Sequence, residues 1–242
     1  MVTGGSAKWL DVSATRFPGW ISSFARRHGD SAPLLAAPAD GVVLFTAADG
    51  AVAECHPPFA ESFAPPPGLT DPGELAGLIA AHARTPRAVG VLLVRLGGYA
   101  AGVFTGYPPA LADSKVGSRL VHGRSAAGGW SQHRFARRRE KQANEALDAA
   151  AAAAVLIFTT RRPQPPTPGR PVAAGQPAAT RLDAVVLGGD RRAVAELRDD
   201  PRLAPYFALA AERFLTVPDP KRAVLLETPR LFTAVRIRLT ET

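Results

Sequence analysis

The chain has 242 residues, 46% of them apolar, which is enough for one large α/β domain or two small ones and excludes a wholly disordered chain. Its net charge of +8 indicates an anionic partner, which is either nucleic acid or an anionic membrane surface. Cys55 is the only cysteine, which excludes an intramolecular disulfide framework and argues against a structural zinc site.

The N-terminal third predicts two helices and three short strands. Bulky apolar residues at helical spacing follow the first strand, and two later β runs enclose Ala-Asp-Gly, which is a hairpin pattern. Thr70 or Asp71 is the expected cap of the second helix. The predicted elements are a strand at 9–12, a helix at 14–28, a hairpin with strands at 42–46 and 51–55, a Pro-rich loop at 57–68 and a helix at 71–84.

The middle of the chain predicts a second hairpin and one long helix. Gly97-Gly98 is a two-residue turn of the kind that permits positive φ, and β runs flank it. Residues 132–158 contain neither Pro nor Gly and are rich in Ala, Arg, Glu and Lys, which predicts a helix about 40 Å long. The other elements are strands at 88–96, 99–105 and 116–122 and a loop at 123–131.

The C-terminal third alternates strands with helices after a Pro-rich surface connection at 159–180. Gly188-Gly189 follows an apolar strand, but neither this pair nor Gly97-Gly98 extends to a phosphate-loop sequence, so both are predicted turns and no nucleotide cofactor is expected. The pattern predicts a mixed β-sheet flanked by helices, in one α/β domain over 1–242. Its last elements are strands at 182–187, 214–217 and 231–239 and helices at 191–198, 206–213 and 220–227.

Positive charge is concentrated between residues 119 and 141, where Glu140 is the only acid and the segment carries +6 of the chain's +8. One Glu cannot pair with so many cations, and like charges four residues apart on a helix repel each other. An RNA backbone would turn that repulsion into attraction, so RNA binding is predicted, with a merely basic surface as the alternative. The basic residues are Arg119, Arg124, Arg134, Arg137, Arg138, Arg139 and Lys141.

A membrane partner is not expected. An interfacial helix needs large apolar residues opposite its charge, whereas here that face offers mostly alanines, which suit packing on a sheet. The longest apolar run, 149–158, is far shorter than the roughly 20 residues of a membrane span. The first residues show no secretory signal, so a cytoplasmic protein is expected.

The segment 123–142, GRSAAGGWSQHRFARRREKQ, resembles the catalytic middle domain of eukaryotic and archaeal class-1 peptide release factors. That domain carries a GGQ loop followed by a helix that begins S-x-x-R-F-x-R-x-R. The hairpin before the segment and the strand after it resemble the family's flanking elements, so the resemblance spans about 87–242 and implies the fold of that domain; residues 1–86 are a less certain N-terminal portion. The helix start is matched without a gap by Ser131, Arg134, Phe135, Arg137 and Arg139.

The match departs from the family at its glutamine. Aligned without a gap, the release-factor glutamine falls on Trp130, and the nearest glutamine is Gln132. This displaced pattern resembles the VLRF group, a release-factor-like family of ribosome-rescue proteins in which a glutamine near the loop is taken to be catalytic. The resemblance implies codon-independent peptidyl-tRNA hydrolysis on stalled ribosomes, with the large ribosomal subunit and peptidyl-tRNA as partners. A monomer is expected, without an obvious codon-reading domain.

These residues suit the hydrolysis of an ester. Attack by water needs a positioned water and donors for the developing oxyanion, and a glutamine amide offers a donor and an acceptor at once. Gln132, Gly128 and Gly129 are therefore the predicted catalytic residues, the glycines allowing the backbone to approach RNA closely. No metal and no other cofactor is expected. The predicted RNA-binding residues are Arg124, Trp130, Arg134, Arg137, Arg138, Arg139 and Lys141.

Each part of this pattern also has a plainer interpretation. A Gly pair is most often a turn, Ser131 can simply cap the helix, and Trp130 either stacks on a base or anchors the loop in the core. His122 and His133 are interpreted as surface or RNA-contacting residues rather than general bases. Two other functions stay open: cleavage of the RNA chain near the tRNA 3′ end, and RNA or ribosome binding without catalysis.

Overall fold

The computed structural model describes residues 7–29, 34–95, 97–118, 131–160 and 181–241, and the side chains of its longest helix from residue 144 onward. The backbone packs into two compact units. Unit 1 comprises Met1–Thr85 with Pro229–Thr242, and unit 2 comprises Pro86–Thr228. The sequence leads us to expect one domain over 1–242, whereas each unit has its own sheet, because the last strand of the chain joins the sheet of the N-terminal residues.

Within the described ranges, the chain forms nine strands and six α-helices. In chain order they are β1 (Lys8–Val12), α1 (Phe17–Arg27), β2 (Leu35–Ala39), β3 (Val42–Thr46), β4 (Val52–His56), α2 (Pro72–Ala83), β5 (Arg87–Arg95), β6 (Gly98–Gly106), β7 (Ala110–Ser118), α3 (Ser131–Thr159), β8 (Ala184–Gly189), α4 (Arg191–Glu196), α5 (Ala204–Phe207), α6 (Arg222–Phe232) and β9 (Val235–Thr240). Short 3-10 helices lie at Ala60–Ser62 and Leu197–Asp199.

Unit 1 is built on an antiparallel five-stranded sheet with the order β1-β9-β4-β3-β2. In β3 and β4 every second residue is buried, which is the period of a sheet with one covered face. α1 and α2 cover that face, where Phe17 and Phe24 pack in one core with Phe45. The predicted cap is confirmed: Asp71 accepts a hydrogen bond from the Glu74 amide at 2.7 Å and so begins α2.

Unit 2 is built on a mixed four-stranded sheet with the order β7-β6-β5-β8. β5 and β6 form the predicted hairpin, and β8 lies parallel to β5 after a crossover that contains α3. The central strand β5 is buried from Ala88 to Val94. This is expected of a strand covered on both faces, with α3 and α4 on one side and Leu225 of α6 on the other. The mixed α/β architecture predicted from the sequence is therefore confirmed.

Two strands, β7 and β2, differ from the prediction, because their extent is set by pairing with a neighbouring strand and not by alternation of apolar residues. β7 begins at Ala110 instead of residue 116, and its polar residues pair with β6 along the hairpin. β2 is not predicted at all and contains Pro38. It lies at the edge of its sheet, where a residue without an N–H can be accommodated.

Of the two glycine pairs predicted to form turns, Gly97 does lie in a turn, with a φ of +92°, whereas Gly98 and the pair Gly188-Gly189 lie in strands. Gly98 pairs with Arg95 inside the β5–β6 hairpin. Gly188 and Gly189 complete β8, and the predicted strand at 214–217 contributes a single bridge between Leu215 and Gly188. A Cβ on Gly188 would lie 2.7 Å from the carbonyl oxygen of Leu215, so a glycine is needed for this close backbone approach.

The last two helices also differ from prediction. α5 ends at Phe207, so the helix predicted at 206–213 is wrong over most of its length. α6 continues beyond residue 227, past Pro229, although proline lacks the N–H that would bond to the carbonyl oxygen four residues earlier. That oxygen, on Leu225, instead accepts a hydrogen bond from the hydroxyl of Thr228 at 2.7 Å. The side chain before the proline thus replaces the missing backbone donor.

The long helix α3 is confirmed, and it packs on the unit 2 sheet through alanines. Ala150, Ala153 and Ala154 are fully buried. Small side chains let a helix lie close to a sheet, and β5 helps by presenting Gly90, whose missing side chain leaves room for Phe158 and Leu182. A side chain at Gly90 would lie 2.7 Å from Leu182 and 3.1 Å from the Phe158 ring. The C-terminal half of α3 is therefore held by close steric fit.

Replacing Gly189 by Ala should lower the free energy of unfolding of unit 2 by about 2 kcal/mol or more. The φ of this residue is +101°, and a Cβ would overlap the carbonyl oxygen of Val94. Gly77→Ala is the control, because Gly77 lies inside α2 with nothing within 4 Å of a Cβ. Amide hydrogen exchange in β5 and β8 should accelerate in the first variant only, and unchanged protection there would contradict this account.

Replacing Ala154 by Leu should destabilise unit 2 by about 1–3 kcal/mol, because three extra carbon atoms must enter a filled contact between α3 and the sheet. Ala152→Leu makes the same chemical change on the exposed side of α3 and should be close to neutral. Urea unfolding followed by circular dichroism measures both variants. Equal stabilities would show that the alanine face does not hold the helix on the sheet.

Candidate functional site

The predicted site falls on the segment between β7 and α3 and on the start of α3. Segment 119–130 lies outside the described residues, and it contains Arg124, Gly128, Gly129 and Trp130. The other predicted site residues lie on the backbone of α3, but their side chains are outside the described part of the structure. They are Gln132, Arg134, Arg137, Arg138, Arg139 and Lys141.

The start of α3 determines which backbone N–H groups are free to donate hydrogen bonds. α3 begins at Ser131, so Gln132 belongs to its first turn. The first four N–H groups of a helix have no intrahelical partner, and the helix dipole favours negative charge beside them. Leu147 packs against the core of unit 2, and it lies about 24 Å along the helix from Ser131 at 1.5 Å per residue. The packed half of α3 is therefore separated in sequence from its basic first half.

The other end of the segment is fixed by the sheet. Ser118 ends β7 opposite Gly98, at the end of the sheet where β5 finishes. Arg95 strengthens this end, because its Nη1 donates to the carbonyl oxygen of Val217 at 3.0 Å and its Nε lies 3.8 Å from Asp219. Segment 119–130 thus follows an end of the sheet that the contacts of Arg95 stabilise.

Charge is divided unevenly between the two units. Unit 2 contains 21 Lys or Arg against 12 Asp or Glu, a net charge of +9, whereas unit 1 contains 8 against 9 and carries −1. The net positive charge of the chain therefore comes entirely from the unit that contains α3. An anionic ligand of any size would be attracted to unit 2 in preference to unit 1.

A groove of about 630 Å³ lies beside the packed half of α3, and the sequence does not predict it. It runs between α3 and the end of α4, whose placement next to α3 depends on the crossover of the sheet. Asp200 pairs with Arg202 across 2.5 Å, and hydrogen bonds from Arg202 lower the pKa of the Asp200 carboxyl. The lining residues are Asn144, Leu147, Asp148, Ala151, Glu196, Leu197, Asp200, Pro201 and Arg202.

The described residues offer little other chemistry. Among them, no three His, Cys, Asp or Glu side chains come together as metal ligands. Cys55 is buried, and this burial raises the pKa of its thiol, which opposes nucleophilic reactivity. No helix in the described ranges combines the length and apolar character needed to cross a membrane.

The chain is similar to three solved archaeal structures at low identity. One is an archaeal protein at 15% identity and a TM-score of 0.27, with 76% of this chain and 48% of that one covered. The archaeal translation termination factor aRF1 is 12% identical with a TM-score of 0.33, and 95% of this chain and 68% of that one are covered. Pelota from Archaeoglobus fulgidus is 12% identical with a TM-score of 0.28, and 96% of this chain and 64% of that one are covered. The chain thus spans about half the length of the first protein. No curated protein matches the chain.

A family model matches a contiguous part of the sequence. The match covers residues 87–238, which begins with the first residue of β5 and includes the whole segment between β7 and α3. The family is described as the VLRF1 release factor of Actinobacteria and Chloroflexi. Because the match covers more than half of the chain, the protein belongs to the Actinobacteria/Chloroflexi VLRF1 release factor family.

Proposed function

We propose that this protein is a ribosome-associated, codon-independent peptidyl-tRNA hydrolase, which frees nascent chains from stalled ribosomes. The observation that carries the proposal is the sequence from Gly128 to Lys141 within a chain of the VLRF1 release factor family. That sequence joins a Gly pair to a glutamine and then to a run of arginines. The large ribosomal subunit and peptidyl-tRNA are the proposed partners of a cytoplasmic monomer.

The division of α3 supports this function. A peptidyl-tRNA ester on the ribosome is surrounded by RNA, so a protein that reaches it must carry positive charge at its tip and keep its hydrophobic contacts elsewhere. In α3, the packed side chains that the structure describes lie from Leu147 onward, whereas the arginines precede residue 142. The helix can therefore remain anchored in unit 2 while its first half contacts RNA.

The proposed reaction is attack of water on the ester carbonyl carbon. A bond forms between the water oxygen and this carbon, and the bond from the carbon to the ribose 3′ oxygen breaks. The proton lost by water goes to the leaving oxygen, so the products are a peptide acid and a tRNA with an intact 3′ hydroxyl. The amide oxygen of Gln132 would accept a hydrogen bond from the water and orient it. Free N–H groups at the start of α3 would favour the developing oxyanion.

Gln132→Ala should reduce peptide release from purified stalled ribosome–nascent-chain complexes by about 100-fold or more, as expected for loss of a group that positions the reacting water. Binding to the same complexes should persist, since an uncharged amide contributes little to phosphate contacts. Gln142→Ala is the matched control, because this glutamine lies near the end of the basic run, about 15 Å further along α3.

Release by Gln132→Ala at the wild-type rate would refute the role of Gln132. Equal losses in the Gln132 and Gln142 variants would indicate a general defect of the helix rather than a chemical role for one amide.

Changing Arg137, Arg138 and Arg139 together to Ala should weaken ribosome binding and flatten its salt dependence. If each arginine neutralises one phosphate, the slope of log K against log salt should become less steep by about 2.7. Arg16, Arg26 and Arg27 changed to Ala remove the same charge from exposed positions in unit 1 and should leave the slope unchanged. Equal slopes for the two triple variants would indicate a basic surface without RNA contacts.

A further inference from the structure

Two arginines beside β8 are each stacked on a phenylalanine ring. The guanidinium carbon of Arg191 lies 4.4 Å from the centre of the Phe214 ring, and that of Arg198 lies 4.8 Å from the centre of the Phe207 ring. Both arginines are exposed, and both rings are half-buried. Since seven residues make about two helical turns, the two guanidinium groups lie on one side of α4 and the turn that follows it.

Three of the four acids within residues 190–202 are engaged elsewhere. Asp190 caps α4 and accepts from the Arg192 amide at 2.8 Å. Glu196 lies 3.3 Å from the Nε of Arg192, and Asp200 is held by Arg202. These acids therefore neutralise other cations or serve the backbone of α4.

Arg191 and Arg198 consequently have only their aromatic rings as partners among the described residues. Asp199 is exposed, and the structure records no basic partner for it within 190–202. Because it adjoins Arg198, the positive field is stronger at Arg191.

The topology brings Arg191, the first residue of the pair, to the end of the sheet at which β7 finishes before the segment 119–130. Gly189 pairs with Val94 at the end of β5, and Ser118 lies opposite Gly98 at the same end. Three strand spacings separate β7 from β8, a distance of about 14 Å. Arg191 begins α4 directly after this end of β8, so it lies at the same edge of the sheet as Ser118, the last residue before segment 119–130.

We infer that Arg191 and Arg198 form a second RNA contact of unit 2, which binds backbone phosphates of ribosomal RNA next to those contacted by α3. A guanidinium group stacked on a ring keeps its N–H edge exposed and its plane fixed, which suits bidentate hydrogen bonding to a phosphate. The net charge of +9 on unit 2 adds a long-range attraction for such a ligand. The inference rests on the proposed function only for the location on the ribosome.

RNA fits this pair better than an acidic protein segment does. The two exposed guanidinium groups lie about two helical turns apart, so they offer separate point contacts for charge, which suit successive phosphates better than a buried apolar protein contact. The lining of the groove on the α3 side of α4 has three acids, Asp148, Glu196 and Asp200, against one arginine, Arg202, and this net charge of −2 would repel phosphate. An RNA strand would therefore lie along the stacked arginines and outside the groove.

The test compares two variants of the full chain that each lose two positive charges. Arg191→Gln with Arg198→Gln removes the pair, and Arg26→Gln with Arg27→Gln removes two exposed arginines of α1 in unit 1. Equilibrium binding is measured between about 50 and 200 mM salt, with vacant large ribosomal subunits as one probe and protein-free large-subunit RNA as the other.

Because the Arg191/Arg198 variant can no longer neutralise two phosphates, its salt slope should be less steep by about 1.8 on both probes. Across that fourfold salt range, the affinity of the wild type should fall about 12-fold more than that of the variant. The Arg26/Arg27 variant should keep the wild-type slope. Arg191→Lys with Arg198→Lys retains the charge without the planar fork, so it should keep the slope and bind a few-fold more weakly.

Equal slopes for the two Gln variants would overturn the inference. A slope that flattens on subunits and stays unchanged on protein-free RNA would also overturn it, because the contact would then be with a ribosomal protein. Failure of the proposed hydrolase function would give a different result: the wild type would release no peptide, while the salt slope would still depend on Arg191 and Arg198. Unaltered release with an unaltered slope would refute this RNA contact alone.

Discussion

The close packing of α3 on the mixed sheet of unit 2 is the contact on which the rest of the structure depends. Its buried alanines let the helix lie near the strands, and Gly90 leaves the space in β5 that Phe158 and Leu182 fill. Small residues on both α3 and β5 make this close packing possible. A 29-residue helix must be held firmly by one half, because the charges of its other half cannot be buried without partners. Stability thus comes from the C-terminal half, and the proposed chemistry from the N-terminal half.

The strand topology and the charge distribution both favour unit 2 as the site of an anionic partner. The crossover from β7 through α3 to β8 puts the parallel strands β5 and β8 side by side, so that their carboxyl ends, Arg95 and Gly189, meet at one edge. The basic segment leaves the sheet at this edge, and Arg191 begins α4 there. Unit 1 carries −1 and unit 2 carries +9, so attraction for an anionic partner, such as the proposed RNA, is concentrated on the unit that holds the predicted catalytic glutamine. Membership of the VLRF1 release factor family is consistent with this arrangement.

The sequence predicts those features that local patterns determine. The long helix follows from a run without Pro or Gly, and the cap of α2 follows from Asp71 before an amphipathic stretch. Features set by pairing between distant segments are mispredicted. Gly188 and Gly189 look like a turn until Leu215 is seen to pack against them, and β7 begins in polar sequence because β6 pairs with it. The return of β9 to the N-terminal sheet also has no local signal in the sequence. The roles of Gly128, Gly129, Trp130 and Gln132 stay predictions.

The most direct test of the central claim is an analysis of the products formed when the wild-type chain is incubated with purified stalled ribosome–nascent-chain complexes that lack a stop codon. The peptide and the tRNA are measured separately from the same reaction. Ester hydrolysis predicts free peptide together with a tRNA whose CCA end is intact. A tRNA shortened at its 3′ end would indicate cleavage of the RNA chain instead, and peptide that stays attached to tRNA while the protein is bound would indicate a binding protein without catalysis. Either result would contradict the account.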